Sequence, residues 1–194
     1  MFAGGLKAML TGMDISVHTQ PDAHPVKTEW VDDALASART AGTPLGALVG
    51  RPLAPGDGIM LAGWSESGPG RYHVIETRPG RGTGPATYMQ VVEFSGPRTE
   101  EWVAAEQQAA TDRLGPATAG IDGIVSVIRM RAADNAYMVV VLAESMDVFD
   151  VASQVIMSTE LLPGEDPAFL GGPDRISFYR LVHADLPITE GSRS

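Results

Sequence analysis

The two halves of this chain of 194 residues resemble each other, and this internal similarity constrains the fold more than any other feature of the sequence. A shift of 78 residues, which brings Ser67 onto Ser145, gives five identities over residues 46 to 67: Arg51 with Arg129, Ala54 with Ala132, Met60 with Met138, Glu66 with Glu144 and Ser67 with Ser145. These identities fall in the same order of predicted elements in each half, as expected for an internal repeat. The sequence therefore predicts a duplicated domain.

The second half predicts six elements in the order β-α-β-β-α-β. They are a strand over Tyr88 to Phe94, a helix capped by Thr99 and ended by Gly115-Pro116, a hairpin of Ile124 to Met130 with Tyr137 to Ala143, a helix capped by Ser145, and a last strand over Ile176 to Val182. The strands are apolar runs bounded by turn residues, and the helices carry apolar residues at helical spacing. This order is that of the ferredoxin-like unit.

The first half predicts the same elements more faintly. They are a strand over 15–18, a helix over 28–41, a hairpin of 47–52 with 59–65, and a strand over 71–78. Ser67-Gly68-Pro69-Gly70 is too short for a helix, so the first repeat is expected to lack its second helix. We therefore predict a degenerate ferredoxin-like repeat over 1–79, a mobile glycine-rich linker over 80–87, a complete repeat over 88–184 and a flexible tail over 185–194.

Four segments carry a resemblance to a known group of proteins: Met89 to Phe94, the helix start Thr99-Glu100-Glu101-Trp102, Val139 to Ser145, and Ile176 to Val182. They resemble the dimeric α+β barrel superfamily and, within it, the antibiotic biosynthesis monooxygenase-like branch. The resemblance implies an α+β barrel in which two ferredoxin-like sheets pack around a central cavity, here within one tandem chain. It also implies a pocket between sheet and helices, used by relatives for cofactor-free oxygenation of aromatics, haem binding or breakdown, or small isomerisations and decarboxylations.

The composition excludes several classes of partner and chemistry. A formal net charge of −10 argues against nucleic acid and anionic membranes, which bind clustered Lys and Arg. The absence of cysteine excludes disulfides and thiolate metal sites, and the four histidines show no familiar metal-binding spacing, so no metal site is expected. No apolar run approaches the roughly 18 residues of a membrane span, and the N-terminal segment does not resemble a secretory signal, so we expect a cytoplasmic protein.

Two strands of the sequence carry candidate catalytic histidine and tyrosine residues. Strict alternation along 71–78 places His73 on the face opposite Tyr72 and Glu76, where His73 could line the pocket as a general base or haem ligand. In the last strand, alternation places Tyr179 and His183 on one face as a polar pair. The alternative interpretation is that these are ordinary polar residues of exposed strand faces and strand ends.

The remaining candidates are a tryptophan and two equivalent arginines. Trp64 is predicted either to wall an aromatic-binding pocket or to fill the space left by the missing helix, and packing is favoured. Arg51 and Arg129 are expected either to recognise a ligand carboxylate or to pair with Glu66 and Glu144 across each hairpin.

Three functions of different classes are consistent with these features. The preferred hypothesis is a cofactor-independent, oxygenase-like enzyme that binds a hydrophobic or aromatic compound and uses His73, Tyr179 or Arg129 to stabilise an anion, with Trp64, Arg51 and His183 binding the ligand. The alternatives are a haem-binding or haem-handling protein and a non-catalytic ligand-binding or interaction domain. Because a missing helix would expose apolar sheet surface, we also expect a homodimer.

Overall fold

The computed structural model describes residues 13–21, 28–65, 70–169 and 171–187, which form an α+β structure. Its strands are β1 (Asp14–Gln20), β2 (Gly46–Pro52), β3 (Gly58–Trp64), β4 (Tyr72–Pro79), β5 (Tyr88–Phe94), β6 (Ile124–Ala132), β7 (Tyr137–Ala143) and β8 (Arg175–Ala184). Its α-helices are α1 (Thr28–Ala41), α2 (Glu100–Gln108), α3 (Gly115–Thr118) and α4 (Asp147–Ser158), with a π-helix over Ala109–Leu114 and a 3-10 turn over Pro167–Phe169. The predicted strands, and the helix over 28–41, are confirmed to within a few residues.

The eight strands close into one barrel in the order β1-β3-β2-β8-β5-β7-β6-β4. Every neighbouring pair is antiparallel. The first four strands lie in the order β4-β1-β3-β2 and the last four in the order β8-β5-β7-β6, so each half contributes one sheet. The β2–β8 and β4–β6 pairings join the two sheets and satisfy the edge strands of both.

The interior of the barrel is filled with side chains, which corrects the expectation of a central cavity. Its largest fully buried members include Met13, Ile15, Leu48, Met89, Met130, Met138 and Leu142. An eight-stranded barrel is just wide enough for side chains to fill it. Glycine makes room for close packing in the interior, since a Cβ at Gly50 would lie 2.7 Å from Tyr179 Cβ.

The outer faces of the two sheets are covered differently. In the first half, α1 packs on a cluster that contains Val49, Met60 and Trp64, and the Trp64 indole donates a hydrogen bond of 2.8 Å to Ser16 Oγ. In the second half, α4 packs through Phe149, whose ring centroid lies 5.6 Å from that of Phe178. The helices of the second half leave a cavity between themselves and the sheet.

Two of the predicted helix boundaries differ in the structure. Thr99 caps α2 as predicted, because its Oγ1 accepts a hydrogen bond of 3.2 Å from the Trp102 backbone N–H. Gly115-Pro116 does not end the helical segment, which continues through the π-helix into α3, where Pro116 occupies a first-turn position that needs no N–H donor. Ser145 is not the cap of α4, since that helix begins at Asp147 with Met146 at the N-cap position.

The predicted linker and the start of the predicted tail make hydrogen bonds to the barrel. In the linker, the Gly80 and Gly82 N–H groups donate to β6 carbonyls at 3.0 and 2.6 Å, so this segment is bound along the strand rather than free. At the start of the predicted tail, Leu186 is buried in the barrel core and Asp185 Oδ1 accepts a bond of 2.6 Å from Ala47 N–H. The described residues 185–187 thus contact the barrel, residues 188–194 lie outside the described part of the chain, and the flexible tail stays a prediction.

The helix expected to be missing from the first half would fall between Trp64 and Tyr72, where residues 66–69 lie outside the described part. No helix in the described ranges is both long and apolar enough to cross a membrane.

Close packing of side chains inside the barrel predicts that two glycine substitutions differ in their effect on the free energy of unfolding. Gly50→Ala places a methyl group within 3 Å of Tyr179 and Met89, so we expect it to lower the free energy of unfolding by about 1–3 kcal/mol. Gly120→Ala is the matched control, because no heavy atom lies within 4 Å of its Cβ position, and its effect should stay within about 1 kcal/mol. Urea denaturation measures both; equal effects would contradict a tightly packed interior.

Candidate functional site

A cavity of about 720 Å³ lies between the outer face of the second-half sheet and the helices above it. Its walls are largely apolar and include Val92, Phe94, Trp102, Val127, Val139, Val141, Phe149, Ile156, Leu161 and Ile176. Its polar lining includes Glu76, Arg78, Gln90, Glu106, Arg113, Thr118 and Arg129. A volume in the range of about 300–1,000 Å³ with a few converging polar groups is typical of small-molecule sites.

The π-helix Ala109–Leu114 forms part of the cavity wall together with α2 and α3. Single-turn π segments widen a helix locally and occur frequently at functional sites. Here the segment presents Ala109, Ala110 and Leu114 to the cavity, and the buried Arg113 beside them. The small side chains leave room for a ligand near the sheet.

The centre of the polar lining is the guanidinium group of Arg129, which is 5% exposed on β6. Its Nε donates to the Tyr137 hydroxyl, Nη1 donates to Glu76, and Nη2 donates to Glu106 Oε2 at 2.9 Å. Gln107 Oε1 accepts a further bond of 3.3 Å from Nη2. Two carboxylates, a phenol and an amide therefore surround one buried cation.

Glu76 reaches this cluster because β4 is irregular. The register of β4 with β6 shifts between Val74 and Glu76, so that Val74 lies opposite Met130 and Glu76 lies opposite Arg129. An extra residue in one strand reverses the faces of the residues that follow it. Strict alternation had placed Glu76 on the face of Tyr72, and this prediction was wrong: Tyr72 faces the barrel interior and Glu76 faces the cavity.

Burial raises the pKa of two groups of the cluster, Glu106 and Tyr137. It raises the pKa of Glu106 above 4.5, although the adjacent Arg129 guanidinium opposes this shift. Burial, reinforced by the negative charge of Glu106, raises the pKa of Tyr137, so the phenol stays protonated at neutral pH. The cluster thus combines a carboxyl group with raised proton affinity, a neutral phenol and a fixed positive charge, which is a combination enriched at functional sites.

Three aromatic rings pack together at this end of the cavity, which is lined by Phe94 and Trp102, whereas Tyr137 is buried beside them and does not line it. The centroids of Phe94 and Trp102 are 5.4 Å apart, those of Phe94 and Tyr137 are 5.9 Å apart, and the Arg129 guanidinium lies 5.6 Å from the Tyr137 centroid. Tilted rings at these distances attract one another beyond their apolar contact. They hold Tyr137 and the Arg129 side chain in place and provide an aromatic wall.

Two further arginines line the cavity. Arg113 Nε lies 2.8 Å from Glu165 Oε2, and both side chains are almost fully buried, so this pair ties the π-helix to the loop that follows α4. Arg78 Nη2 donates a hydrogen bond of 3.0 Å to Thr118 Oγ1.

The structure separates the residues predicted to form the site. Arg129 lines the cavity and pairs with Glu76 and Glu106 rather than with Glu144, which instead accepts a bond from the Gly84 N–H. Tyr179 is 2% exposed and lies in the barrel interior.

Trp64 lies beneath α1 in the packed cluster of the first half, in agreement with the packing interpretation, and does not line the cavity. Arg51 is half-buried on β2, opposite Arg180 of β8. Neither residue is near the Arg129 cluster in the sheet order, since β2 and β6 belong to different sheets.

The two candidate histidines also lie away from the cavity lining. His73 is 59% exposed in its side chain, and its Nδ1 contacts Asp14. His183 Nε2 lies 3.0 Å from Asp185 Oδ1. The predicted pairing of Tyr179 with His183 on one face is wrong, because the β2–β8 register shifts at Val182 and places His183 opposite Val49, whose side chain packs outside the barrel.

Fit of the cavity to a haem group depends on an axial ligand in its lining. Haem iron in proteins takes axial ligands such as histidine, cysteine, methionine or tyrosine. The described lining contains no histidine, cysteine or tyrosine, and its one nearby methionine, Met157, is 83% exposed. The lining therefore does not fit a haem held by histidine. Among the residues that the structure describes, no group of three or more His, Cys, Asp or Glu side chains is arranged to hold a metal ion.

Sequence reasoning missed Glu76, Glu106 and Tyr137. The sequence did contain a sign that Glu106 is buried, because it follows Trp102 by one helical turn and so lies on the buried face of α2. An acidic residue on an apolar helical stripe is a candidate for a perturbed pKa. Glu76 carried no such signal, since its face depends on the irregular β4–β6 register.

The raised pKa of Glu106 predicts a pH-dependent stability. A carboxyl group with a higher pKa in the folded state stabilises that state below about pH 4.5, and this contribution is lost as the pH rises through the folded-state pKa. The free energy of unfolding of the wild type, relative to Glu106→Gln, should therefore fall as the pH increases above 4.5.

Chemical denaturation between pH 4 and pH 8 measures this difference. Glu101→Gln on the same helix is the control: hydrogen bonding at the helix start lowers the pKa of Glu101, so the wild type should gain stability relative to this variant up to about pH 6, where the carboxyl is ionised in both states, and the difference should be flat above it. A flat difference for Glu106→Gln would contradict the assigned shift.

Comparison with known proteins supports the fold. No protein family model matches this sequence, and no curated protein matches it significantly. A structure titled as a major regulator of staphylococcal pathogenesis aligns with a TM-score of 0.54 at 10% identity, over 88% of this chain and 98% of that one. The haem-degrading enzyme of Listeria monocytogenes aligns with a TM-score of 0.52 at 13% identity, over 86% of this chain and 98% of that one.

A ferredoxin-fold protein of Listeria monocytogenes related to antibiotic biosynthesis monooxygenases aligns at a TM-score of 0.48 and 10% identity, over 89% of this chain and 96% of that one. At such identities the likeness concerns the fold alone. The two alignments with TM-scores above 0.5, together with the closed eight-stranded barrel, support the predicted α+β barrel fold.

Proposed function

We propose that this protein binds a hydrophobic, aromatic small molecule in the second-half cavity and acts on it as a cofactor-independent, oxygenase-like enzyme. The observation that carries the proposal is the buried Arg129 cluster, in which Glu106 has a raised pKa, at one end of a largely apolar cavity. Of the site residues predicted from the sequence, Arg129 belongs to this proposal. Glu106 and Tyr137 complete the set.

Apolar walls supply the binding energy of such a ligand. Burial of an aromatic compound against Val92, Phe94 and Trp102 removes apolar surface from water on both sides of the contact. Expulsion of water also strengthens every electrostatic interaction at the polar end of the cavity.

Proton abstraction is the chemical step that the cluster supports. Glu106 accepts a proton from an acidic O–H or C–H bond of the ligand, and the electron pair stays on the ligand as an anion. Once Glu106 is neutral, Arg129 retains one carboxylate partner, Glu76, in place of two, so more of its positive charge stabilises the new anion. Dioxygen is the oxidant that this class of reaction then requires.

One observation favours the non-catalytic ligand-binding alternative. Nε, Nη1 and Nη2 of Arg129 all donate to protein groups, so the cluster is internally satisfied before any ligand binds. A satisfied cluster is also what a purely structural ion-pair network would show. Haem handling finds less support, since the described lining offers no imidazole.

The tandem arrangement and the homodimer stay proposals. The strand orders β4-β1-β3-β2 and β8-β5-β7-β6 support two ferredoxin-like repeats, the first without a second helix. Exposed apolar side chains at the cavity rim, such as Met157 and Ile176, support a second copy as cover. Light scattering at micromolar concentration should then give twice the chain mass of 20.5 kDa, and a monomeric mass would contradict the dimer.

Retention of a ligand is the first test of the proposed function. Native mass spectrometry and an absorption spectrum of gently purified protein should show excess mass with aromatic absorbance and no Soret band. A Soret band would favour the haem alternative. The identified compound can then be assayed for oxygen consumption.

The Glu106→Gln variant distinguishes a catalytic function from the non-catalytic, ligand-binding alternative. Glutamine keeps the size and the hydrogen-bond acceptor but removes the base, so oxygen consumption with the identified compound should fall about 100-fold or more while its Kd changes by less than about 5-fold. Glu101→Gln, an exposed neighbour on the same helix, should leave both unchanged. Binding without any turnover in the wild type would establish the non-catalytic alternative.

A further inference from the structure

Arg78 is a cavity arginine that forms no ion pair with any described residue. Arg113 lies 2.8 Å from Glu165, and Arg129 lies 2.9 Å from Glu106. Among the described residues, no carboxylate oxygen lies within 4.0 Å of the Arg78 guanidinium, and its one hydrogen bond goes to the neutral Thr118 hydroxyl. A half-buried positive charge without a countercharge is costly unless something else pairs with it.

The position of Arg78 is fixed by the helical segment above it. A Cβ at Gly115 would lie 2.6 Å from Arg78 Nη1, so glycine at this position is what lets the guanidinium approach the helix. Thr118 Oγ1 accepts from Arg78 Nη2 and donates to the Leu114 carbonyl at 2.7 Å, which orients the acceptor. The guanidinium is therefore seated in a notch of the cavity wall, with further N–H donors available.

The surroundings of Arg78 favour a singly charged, planar anion. One unpaired positive charge in an apolar cavity balances one negative charge, whereas a phosphate dianion would leave an excess in a poorly solvated place. The fork of N–H donors on a guanidinium matches the two oxygens of a carboxylate.

The spacing of residues along β4 sets the distance between an anion bound at Arg78 and the Arg129 cluster. Arg78 follows Glu76 by two residues on the same face, which corresponds to about 7 Å along a strand. This is roughly the length of one aromatic ring with its substituents. A ligand that is anchored at Arg78 would thus extend along the sheet to the Arg129 cluster.

We propose that Arg78 binds the carboxylate of an aromatic monocarboxylic acid, and so selects this class of ligand for the cavity. The inference rests on the proposed function, because it names the ligand class of the same cavity. Arg78 holds the anionic end, and the opposite end of the ring system lies at Glu106 and Arg129.

Isothermal titration calorimetry with a matched pair of probes tests the proposal. The probes are 2-naphthoate and its neutral analogue 2-naphthamide, which differ in charge but hardly in shape. The wild type should bind 2-naphthoate about 10- to 100-fold more tightly than 2-naphthamide, as expected for hydrogen bonds to a charged group. Arg78→Gln should weaken 2-naphthoate binding by this factor and change 2-naphthamide binding by less than about 2-fold.

Two further variants keep the test decisive. Arg78→Lys preserves the charge and should retain part of the preference for 2-naphthoate. Arg81→Gln removes an arginine whose side chain is 63% exposed and paired with Asp122, and it should leave both affinities unchanged. If Arg78→Gln fails to fold, the affinities of the wild type and of Arg78→Lys for the two probes still test the role of Arg78.

The outcomes distinguish this inference from the proposed function. Equal affinities of the wild type for the two probes, or equal weakening of both by Arg78→Gln, would overturn the role of Arg78 while the cavity remains a binding site. Failure of both probes to bind would overturn the inference together with the proposed binding of aromatic compounds. A preference for 2-naphthoate that Arg78→Gln abolishes would establish it.

Discussion

Closure of the barrel between β4 and β6 is the contact on which the rest of the structure depends. The two strands belong to different halves of the chain, and their pairing joins the two sheets along one seam. The same pairing sets Glu76 opposite Arg129, because the register shifts after Val74. Without this seam the cavity would lack a wall, and the buried guanidinium would lose one of its carboxylates. Fold and candidate site are therefore products of one strand pairing.

Burial of the charged groups of the Arg129 cluster costs free energy. Removal of an ion from water costs several kcal/mol even after the protein relaxes. Attraction to close partners of opposite charge offsets this cost when their geometry is good. Glu76, Glu106 and Tyr137 supply such partners around one guanidinium. Replacement of a buried ion pair by apolar side chains of similar volume is often neutral or stabilising, so fold stability alone does not account for these charges.

The inner and outer faces of the barrel differ in composition and in role. The interior is filled by methionine, leucine and other apolar side chains, and supports stability. The outer face of the second sheet carries the polar groups and the cavity, under helices that include a π segment. A fold that is shared with a haem-degrading enzyme and with a regulator of pathogenesis does not select a function by itself. The function depends instead on the residues that line the cavity, which include Arg78, Glu106 and Arg129.

The sequence by itself determined the strands and most of the helices, because apolar periodicity and turn residues act locally. It indicated Arg129 through its equivalence to Arg51, and it placed Thr99 correctly at a helix start. Tertiary structure alone decided which side chains meet. The shifts in register after Val74 and at Val182 reversed the faces of Glu76 and His183, and periodicity cannot reveal a shift whose cause lies in a partner strand. The raised pKa of Glu106 likewise depends on burial by distant segments, which a linear sequence does not specify.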